Sequence, residues 1–554
     1  MKREALAWCL AVSAILAVLT SLPFLLAFER QGADLRFTGS LLAVEDGNSY
    51  IAKMGRGSAG DWLFRSPYTA IPQTGVPAFL GYLLLGKLAA GPGAHEQQVA
   101  LLHVARVLAI PLVVLATYRF ASRFIGEERW RRWVTVLAVA GDGVGWMVLA
   151  GGRGDWLGSQ PLEFYSPETF GFLALLTFPH LLLARAFLLL GLEAYLESDT
   201  HPRAAWLAGV WLTLLVFVQP ISIAAAGAVV GMHQALVAVR SVLRKSPPAF
   251  AWGRLRSAVL ALAVPLLLVA GYAALLRRDP FLQTWAAQNI LRSPHPVHYL
   301  LAYGLLLPWA VVGARRAWRS QDLAPLLLVG WVIALPLLAY APTVVQRRLP
   351  EGGWVALAVL AALGLGSVKL ASATRWRLAL GTIGLSFVGS VLLLVGAFQA
   401  AAMGAAPVFR PAAQVAAFEW LDQNAGADAI VLAAYDTGNA LPAWANVRVI
   451  VGHGPESAGL AELRPRVGAF YRASGASPDA QALLTDFGVT YVFVGPAERA
   501  LGFDEAALPT GLTPVYHQGE YAVFLVARSV PVARARMIGG GLETCGAGEA
   551  RWPC

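Results

Sequence analysis

Charged side chains are scarce in this chain, and their scarcity excludes an ordinary soluble protein. Asp, Glu, Lys and Arg make up 14% of its 554 residues, whereas soluble domains carry about 25%. Hydrophobic residues reach 57%, and apolar windows of roughly 20 residues, long enough to cross a bilayer as helix, recur from Ala5 to Gln399. Within these windows apolar and polar residues do not alternate, as they do along the strands of a closed membrane barrel. The sequence therefore predicts a polytopic α-helical membrane protein.

Cysteine is also rare, since the chain has three and no Cys-x-x-Cys pair. Metal or redox sites built on that motif are therefore excluded. Cys9 lies in the first apolar run, where we expect a small core residue. Cys545 and Cys554 lie in the C-terminal tail, and they can form a disulfide if that tail faces an oxidising compartment.

Basic residues give the chain a net charge of +10, but their placement argues against nucleic acid as a partner. They cluster in short loops between apolar runs, as the positive-inside rule describes for membrane proteins. At the N-terminus, Met1-Lys2-Arg3 precedes an apolar run that extends to Phe28 without a small-residue cleavage site. We therefore expect an uncleaved anchor rather than a removed signal peptide.

The apolar runs predict about eleven spanning helices. Their approximate limits are 5–28, 99–118, 133–150, 169–192, 204–219, 220–239, 257–276, 297–314, 323–341, 352–371 and 378–401. The basic loops place the N-terminus inside and the C-terminus outside, provided that Val76–Ala90 does not span. At about 15 residues this segment is short for a span, and we expect an interfacial or re-entrant helix at the outer face. It belongs to a long first outer loop over residues 29–98.

A change of composition near residue 405 divides the chain into a membrane domain over 1–404 and a smaller domain over 405–530. In the smaller domain three segments have helical periodicity: Ala412–Asn424, Leu460–Arg472 and Asp479–Phe487. Four short apolar runs have the length of strands: Ala429–Ala433, Arg448–Val451, Thr490–Val494 and Tyr521–Val526. The sequence thus predicts an extracytoplasmic α/β domain, followed by a flexible tail over 531–554.

Two adjacent carboxylates, Glu45 and Asp46, lie in the first predicted outer loop and precede Gly-Asn-Ser-Tyr. At a membrane surface a carboxylate can act as general base for an acceptor hydroxyl, or it can hold a divalent cation such as Mg²⁺ or Mn²⁺. The alternative is structural, because Asp-Gly-Asn also forms turns and helix caps. The spacing alone leaves both interpretations open.

A second polar group, Glu163, Glu168 and His180, lies around the fourth predicted span. Pro167 suits the start of a helix, so we expect Glu168 in its first turn, where interaction with the helix dipole is the structural alternative. Along a straight helix His180 would lie about 18 Å deeper than Glu168, unless the chain bends at Pro179. The structural alternative for His180 is a hydrogen-bonded intramembrane histidine.

Two charges inside predicted spans, Asp142 and Arg185, each need a partner or a cavity. We expect them to form a structural ion pair, although Asp142 can also line a site. His103 and Arg106 lie one helical turn apart at the outer end of the second predicted span. They are weaker candidates for the lining of a cavity.

Arg347 and Arg348 lie in an outer loop after the ninth predicted span, against the positive-inside trend. Guanidinium groups bind phosphate through paired hydrogen bonds, which makes a lipid-linked phosphate the candidate ligand. Contact with ordinary membrane lipid headgroups is the alternative.

Several short motifs together resemble one superfamily. They are Asp46–Tyr50, Gly60–Phe64, Pro167–Phe170, Phe178–His180, Thr437–Asn439 and Val451–His453. With many spans and a C-terminal domain outside, these motifs resemble the GT-C membrane glycosyltransferases, which include protein O-mannosyltransferases and bacterial lipid A aminoarabinose transferases. The resemblance implies transfer of a sugar from a polyprenyl-phosphate donor, on the outer face of the cell membrane and usually with inversion. The acceptor would be a lipid, a glycan or a protein.

Matched position by position, the resemblance implies that Asp46, beside Glu45, is the catalytic base. It implies that Glu168 is a second acidic group near the acceptor or a metal. It implies that Arg347 and Arg348 bind the donor phosphate, with His180 as a further candidate ligand. Two features depart from the pattern and weaken the case for a bound metal: the Glu-Asp order of the first-loop acids, and Gln219-Pro220 in place of His-Pro.

Two other functions stay open at this point. One is a non-catalytic membrane protein of the same fold whose C-terminal domain binds a cell-envelope partner. The other is a lipid or sugar transporter, although the sequence lacks the internal repeat that is typical of that class. Convergence of Asp46, Glu168 and one arginine of the 347–348 pair on one outer cavity would favour the enzyme.

Overall fold

Helices make up most of the chain before residue 404. The computed structural model describes residues 2–91, 93–245, 252–507 and 511–527. In chain order these helices are α1 (Arg3–Arg30), α2 (Val44–Ser58), α3 (Leu80–Gly86), α4 (Ala94–Ser122), α5 (Glu128–Ala140), α6 (Trp146–Ala150), α7 (Gly171–Leu176), α8 (Pro179–Glu197), α9 (Ala204–Val218), α10 (Ser222–Leu243), α11 (Trp252–Arg278), α12 (Pro280–Gln288), α13 (Pro296–Gly304), α14 (Leu307–Arg319), α15 (Pro325–Ala339), α16 (Gly353–Ser367) and α17 (Ser372–Met403). Cys545, Cys554 and the predicted tail over 531–554 lie outside the described residues.

Among the described residues, seven helices are long and apolar enough to cross a membrane. They are α1, α4, α8, α10, α11, α16 with the turn before it, and α17. α13 and α14 pass the same test only together, and they bend by 77° at their junction, so they form at most one further span. α9 and α15 are apolar but shorter. The helical membrane class is confirmed, whereas the number of eleven spans and the inside–outside orientation stay predictions.

Glycines set how closely some of these helices pack. Gly313 of α14 and Gly364 of α16 lie at one crossing, where a Cβ atom on either residue would overlap a backbone oxygen of the other helix. Small residues allow membrane helices to approach in this way, because apolar area gives little driving force between helices in lipid. α16 is consequently buried along nearly its whole length.

Two predicted spans are broken in the structure. The predicted span 133–150 ends at Ala140 and resumes, after Asp142, as the five-residue α6. The predicted span 169–192 divides into α7 and α8, because Phe178 has an extended backbone and Pro179 begins the second helix. Glu168 therefore lies in a turn before α7 and not in the first turn of a spanning helix. His180 lies in the first turn of α8.

Glu45 and Asp46 lie in the first turn of α2 and not in the predicted loop. Within the segment 76–90, only α3 is helical. It has seven residues, and its length of about 10 Å is too short to cross a bilayer. It packs on α2 through Gly57 and Gly86, where an added Cβ atom would overlap a backbone oxygen of the other helix. This contact fixes the course of α2 and therefore the positions of the two carboxylates.

A five-stranded sheet with surrounding helices follows residue 411. The strands of the chain are β1 (Leu35–Phe37), β2 (Phe409–Pro411), β3 (Ile430–Leu432), β4 (Arg448–Val449), β5 (Tyr491–Val494), β6 (Leu512–Gln518) and β7 (Tyr521–Val526). The helices of this part are α18 (Ala412–Asn424), α19 (Tyr435–Trp444), α20 (Leu460–Arg472), α21 (Pro478–Asp486) and α22 (Pro496–Ala500). The sheet order is β4-β3-β5-β7-β6, with β3 parallel to both neighbours and β7 antiparallel to both of its own. α18, α20 and β7 have the predicted limits, whereas α19 and β6 were not predicted.

A strand pair and a shared apolar core are among the contacts that join this α/β domain to the rest of the chain. β1 pairs with β2 in antiparallel register, with Phe37 opposite Phe409. Ile51 and Met54 of α2 share one apolar core with Phe418 of α18. α2 therefore lies against the α/β domain, and residues from both parts meet there.

Candidate active site

Asp46 meets a histidine of the α/β domain. Its Oδ1 atom lies 3.3 Å from Nε2 of His453, in the loop between β4 and α20. Ser457 folds that loop, because its Oγ accepts hydrogen bonds from the backbone N–H groups of Gly452 (2.9 Å) and His453 (3.0 Å). A Cβ atom at Gly452 would overlap the backbone of Gly438 in α19. The imidazole is buried, whereas 55% of the Asp46 side chain is exposed, so the carboxylate stays accessible to a ligand.

A buried ion pair lies behind His453. Nδ1 of His453 is 3.7 Å from Oε1 of Glu456, and the same oxygen is 2.6 Å from Nζ of Lys53. Ser49 and Ser66 donate hydrogen bonds to the two carboxylate oxygens of Glu456, at 2.8 and 2.9 Å. Burial by itself would raise the pKa of Glu456, but the charges of Lys53 and His453 and the hydrogen bonds from Lys53 and Ser49 outweigh burial and lower it.

The surroundings of Asp46 favour its ionised form. Burial among neighbouring atoms would raise the pKa of Asp46, but the hydrogen bond and charge of His453, with the charges of Arg348 and Lys53, outweigh it and lower that pKa. The Asp46 side chain is nevertheless more than half exposed to solvent. Asp46 is therefore ionised at neutral pH and able to accept a proton.

Aromatic side chains surround His180. Its Nδ1 atom lies 2.6 Å from the hydroxyl of Tyr82, and its Nε2 atom lies 3.4 Å from the hydroxyl of Tyr50. The Tyr50 ring stacks on Tyr82 with centroids 4.3 Å apart and meets Phe178 edge-on at 4.7 Å. Because both ring nitrogens face a hydroxyl, the imidazole has a fixed orientation between α2, α3 and α8.

Glu168 and Arg348 form an ion pair, with 3.2 Å between Oε1 and Nε. The carboxylate is buried, whereas 38% of the Arg348 side chain is exposed. Arg347 lies over the ring of Tyr165, with its guanidinium carbon 4.5 Å from the ring centroid. Within the described parts of the chain, its Nε atom is buried without a hydrogen-bond partner. Arg347 therefore keeps hydrogen-bonding capacity for an anion.

Tyr50 lies among these charged groups. Burial raises the pKa of its hydroxyl, the negative charges of Asp46, Glu456 and Glu168 raise it further, and the charge of Arg348 lowers it. All four groups are thus close enough to act on Tyr50 electrostatically. The structure brings Asp46, Glu168 and Arg348 into one region, at the end of the helical bundle that meets the α/β domain.

Glu45 joins the two parts of the protein. Its Oε1 atom accepts hydrogen bonds from the hydroxyl of Tyr435 (2.6 Å) and from the backbone N–H of Gly454 (2.9 Å). Its backbone oxygen accepts a hydrogen bond from Asn439 (3.3 Å), whose side-chain oxygen accepts one from Asn48 (2.7 Å). These contacts hold the loop between β4 and α20 against the first turn of α2.

Arg185 and Asp142 do not form the expected ion pair. Arg185 instead pairs with Glu351, with 3.1 Å between Nε and Oε1, and donates a hydrogen bond to the backbone oxygen of Glu168 (2.6 Å). Asp142 accepts a hydrogen bond from Ser390 (2.5 Å). Arg185 thus has a partner in the turn before α16, and Asp142 has one on α17. Arg185 also holds the turn that carries Glu168.

Among the described residues, no contact links Asp46 to Glu163, His103 or Arg106. Glu163 accepts a hydrogen bond from the backbone of Trp146 (3.1 Å), and burial raises its pKa to about 7. Nε2 of His103 lies 3.0 Å from the backbone oxygen of Gly39. Arg106 is fully buried and donates hydrogen bonds to groups on α1 and to the backbone of α7. The Arg106 contacts connect helices of the bundle.

The sequence does not single out Lys53 or Glu456. Lys53 shares a face of α2 with Asp46 and Ser49, because residues three, four and seven apart stack along a helix. That spacing becomes informative only once α2 is known to be a helix. Glu456 lies 403 positions away from its partner, and the available signal for its loop is the Val-Gly-His motif at 451–453.

The carboxylates of this region do not fit a divalent cation as they stand. Asp46 faces His453, and Glu168 faces Arg348, whereas Mg²⁺ takes six oxygen ligands. Within the described residues, no three His, Cys, Asp or Glu side chains are grouped so that they could hold a metal ion.

Comparison with solved structures finds similar folds, among them two structures of one archaeal enzyme and one structure of a bacterial protein. The oligosaccharyltransferase of Archaeoglobus fulgidus in its apo form has a TM-score of 0.52 and 14% identity, over 92% of this chain and 73% of that chain. The same enzyme tethered to an acceptor peptide has a TM-score of 0.51 and 16% identity, over 88% and 69%. ArnT from Cupriavidus metallidurans in the apo state has a TM-score of 0.48 and 16% identity, over 93% and 98%.

No family model and no curated protein sequence matches the chain. At these identities the likeness to the archaeal enzyme is a likeness of fold. It confirms the resemblance to the GT-C membrane glycosyltransferases at that level.

Proposed function

We propose that the protein is an integral membrane glycosyltransferase that moves a sugar from a polyprenyl-phosphate donor to an acceptor hydroxyl. The observation that supports this proposal is the grouping of an ionised Asp46 with the Glu168–Arg348 ion pair and the neighbouring Arg347. One ionised carboxylate and two arginines thereby lie at one end of a helical bundle. The similar fold of an oligosaccharyltransferase supports the same class of reaction. By the predicted topology, this end lies at the outer face of the cell membrane.

Asp46 is the proposed general base. The acceptor hydroxyl donates a hydrogen bond to its carboxylate, and the hydroxyl oxygen attacks the anomeric carbon of the donor sugar. A bond forms between these two atoms while the bond from the anomeric carbon to the phosphate oxygen breaks. The bonding electrons leave with the phosphate, and the hydroxyl proton passes to Asp46. A single displacement of this kind inverts the anomeric configuration.

Arg347 and Arg348 are the proposed ligands of the leaving phosphate. Cations that are ordered before the reaction stabilise negative charge as it develops, without a further cost of reorganisation. Glu168 orients Arg348 through their ion pair, and the ring of Tyr165 supports Arg347. A polyprenyl phosphate is then an adequate leaving group, and one carboxylate suffices to activate the acceptor.

His453 is a proposed positioning residue. It contacts Asp46 and acts on the reaction through that carboxylate. A fixed imidazole holds the carboxylate in one orientation and favours its ionised form. In this proposal the α/β domain is part of the active site, because it supplies the loop that carries His453.

Transfer assays on the purified full-length protein test this function. The protein is incubated with a panel of polyprenyl-phosphate sugars, and lipid and protein acceptors are analysed by mass spectrometry. We expect transfer from at least one donor, and a loss of about 10²- to 10⁴-fold in Asp46→Asn, which removes the general base. Glu96→Gln, at an exposed carboxylate in the first turn of α4, is the matched control and should leave the rate unchanged.

Two results would contradict the proposal. Near-normal transfer by a folded Asp46→Asn variant would remove Asp46 from the role of base. Absence of transfer from every donor by the folded wild-type protein, under conditions in which a glycosyltransferase control is active, would argue for the non-catalytic alternative.

A further inference from the structure

A cavity of about 540 Å³ lies at the far end of α8 from the candidate active site. His180 is in the first turn of α8, and the cavity is lined by residues just beyond its last turn, about 28 Å away along a helix of 19 residues. The cavity walls come mainly from the turn between α8 and α9, from the first turn of α9 and from the first turns of α11. The cavity is therefore separate from Asp46 and lies at the opposite boundary of the helical bundle.

Three arginines line this cavity: Arg203, Arg254 and Arg256. Arg254 donates a hydrogen bond from Nε to Asp199 at 2.8 Å, which fixes one guanidinium group in the wall. Arg203 and Arg256 are exposed, and neither forms an ion pair with any residue that the structure describes. Residues 246–251, which connect α10 to α11, carry no acidic side chain and so cannot supply the missing negative charge.

The other wall of the cavity is apolar and continues onto the outer surface of the bundle. Trp206 of α9 lines the cavity and is 61% exposed. Val210 of α9 and Val259 of α11 are exposed close to it along their helices. α9 and α11 approach closely at Gly209, where a Cβ atom would crowd the backbone oxygen of Leu260. The two helices thus form a continuous apolar surface that leads away from the arginines.

We propose that this cavity binds the headgroup of an anionic phospholipid. The phosphate would pair with Arg203 and Arg256, and the acyl chains would lie along the apolar surface of α9 and α11. Basic cavities between membrane helices are suited to anionic lipid headgroups, and tryptophan is favoured at the level of the headgroups. The cavity lies where the predicted topology places the inner face, at which anionic lipids are abundant in most membranes. An apolar wall beside the charges distinguishes this site from one for a free phosphate.

Lipid titration of the purified full-length protein tests the proposal. Dioleoylphosphatidylglycerol, dioleoylphosphatidylcholine and inorganic phosphate are added separately, and the midpoint of thermal unfolding is followed. We expect saturable stabilisation by phosphatidylglycerol alone. Arg203→Gln/Arg256→Gln should weaken that binding about 30-fold, or about fivefold for each arginine. The matched control is Arg123→Gln/Arg377→Gln, two arginines that do not line the cavity, and it should keep the wild-type affinity.

A second measurement does not depend on the variants. A photoreactive phosphatidylglycerol is cross-linked to the wild-type protein, and we expect labelled peptides within 199–210 and 253–260. Unchanged affinity in the double variant, equal stabilisation by phosphatidylcholine, or labelling only elsewhere would overturn the proposal. Saturation by inorganic phosphate at similar concentrations would identify the ligand as a soluble anion and overturn the lipid assignment. None of these readouts uses sugar transfer, so this proposal and the proposed function fail separately.

Discussion

Nε2 of His453 lies 3.3 Å from Oδ1 of Asp46, although the two residues are 407 positions apart in the chain. The contact joins the first turn of α2 to a loop of the α/β domain. It places a buried imidazole beside an accessible carboxylate whose pKa is lowered by that imidazole and by nearby cations. Any reaction that uses Asp46 as a base therefore depends on the α/β domain.

Replacing His453 should change the pH dependence of transfer. In His453→Gln the pKa of Asp46 should rise, because the hydrogen bond and positive charge that lower it are weakened. Asp46 acts only when ionised, so the acidic limb of the profile of kcat/KM against pH should move to higher pH. His517→Gln is the control, because His517 is exposed on β6. A purely structural role for His453 would lower the rate equally at all pH values, without moving that limb.

Replacing Lys53 should destabilise the protein. Lys53→Met leaves the Glu456 charge buried without its main partner, which costs about 3–5 kcal/mol in the free energy of unfolding. Lys53→Met/Glu456→Leu should recover much of this loss, because both charges are then absent. Arg466→Met is the control: its ion pair with Asp486 is partly exposed, at 3.5 Å, and contributes about 0–1 kcal/mol. A loss of similar size in Arg466→Met would contradict this account.

The same ion pair predicts a reversal in the pH dependence of stability. In the wild-type protein the lowered pKa of Glu456 means that its stabilising contribution is present above the ordinary glutamate pKa of about 4.3 and is lost as the pH falls. In Lys53→Met, burial should raise this pKa instead. The contribution of Glu456 should then be largest at low pH and decrease as the pH rises from about 4 to 8. Thermal unfolding across this range measures both trends, and parallel trends in the two proteins would argue against the reversal.

Local patterns predicted the elements that are defined by their own composition. The apolar runs predicted the helices of the bundle, and the periodicity of Ala412–Asn424 and Leu460–Arg472 predicted α18 and α20 at their observed limits. The apolar run Tyr521–Val526 predicted β7 in the same way. In these segments the spacing of apolar residues along the sequence matches the face of the helix or strand that is buried in the structure.

α2 was not predicted, because its composition opposes a helix. Gly47, Gly55 and Gly57 each disfavour the helical state by about 1 kcal/mol relative to alanine, and Asp46-Gly47-Asn48 also forms turns. Packing of the helix needs two of these glycines: a Cβ atom at Gly47 would overlap Ser40, and one at Gly57 would overlap α3. Neither neighbour can be inferred from residues 44–58 alone.

Partners of buried charges could not be predicted either. Arg185 was expected to pair with Asp142, which lies nearer in the sequence, but pairs with Glu351, 166 positions away. Lys53 similarly forms its ion pair with Glu456, which lies in the α/β domain. A charge buried in a bundle needs a partner, but the sequence does not state which helices are neighbours. For that reason the sequence could indicate Asp46, Glu168 and Arg348 as candidate site residues but could not predict that they lie in one region.

Arg347 and Arg348 should differ in what their loss changes. A charge-assisted hydrogen bond contributes about 1.5–3 kcal/mol, so Arg347→Gln should raise the KM for the polyprenyl-phosphate donor by about 10- to 100-fold and leave the unfolding temperature unchanged. Arg348→Gln should raise this KM and also lower the unfolding temperature, because the buried Glu168 loses its partner. Arg65→Gln, at an exposed arginine of the first loop, should change neither quantity. A donor KM that is unaffected in both variants would remove the arginines from the phosphate site.

Glu45 and Asp46 are adjacent carboxylates, and their variants decide which of them is the base. Glu45 accepts hydrogen bonds from Tyr435 and from the backbone of Gly454, so we expect it to act by holding the loop that carries His453. A glutamine keeps an acceptor oxygen, and Glu45→Gln should therefore lose less than about tenfold in rate. Glu45→Ala should lose more and should move the acidic limb of the pH profile upwards, as His453→Gln does. If Glu45→Gln were instead as inactive as Asp46→Asn, Glu45 itself would be the proton acceptor, since an amide can replace it as a hydrogen-bond acceptor but not as a base.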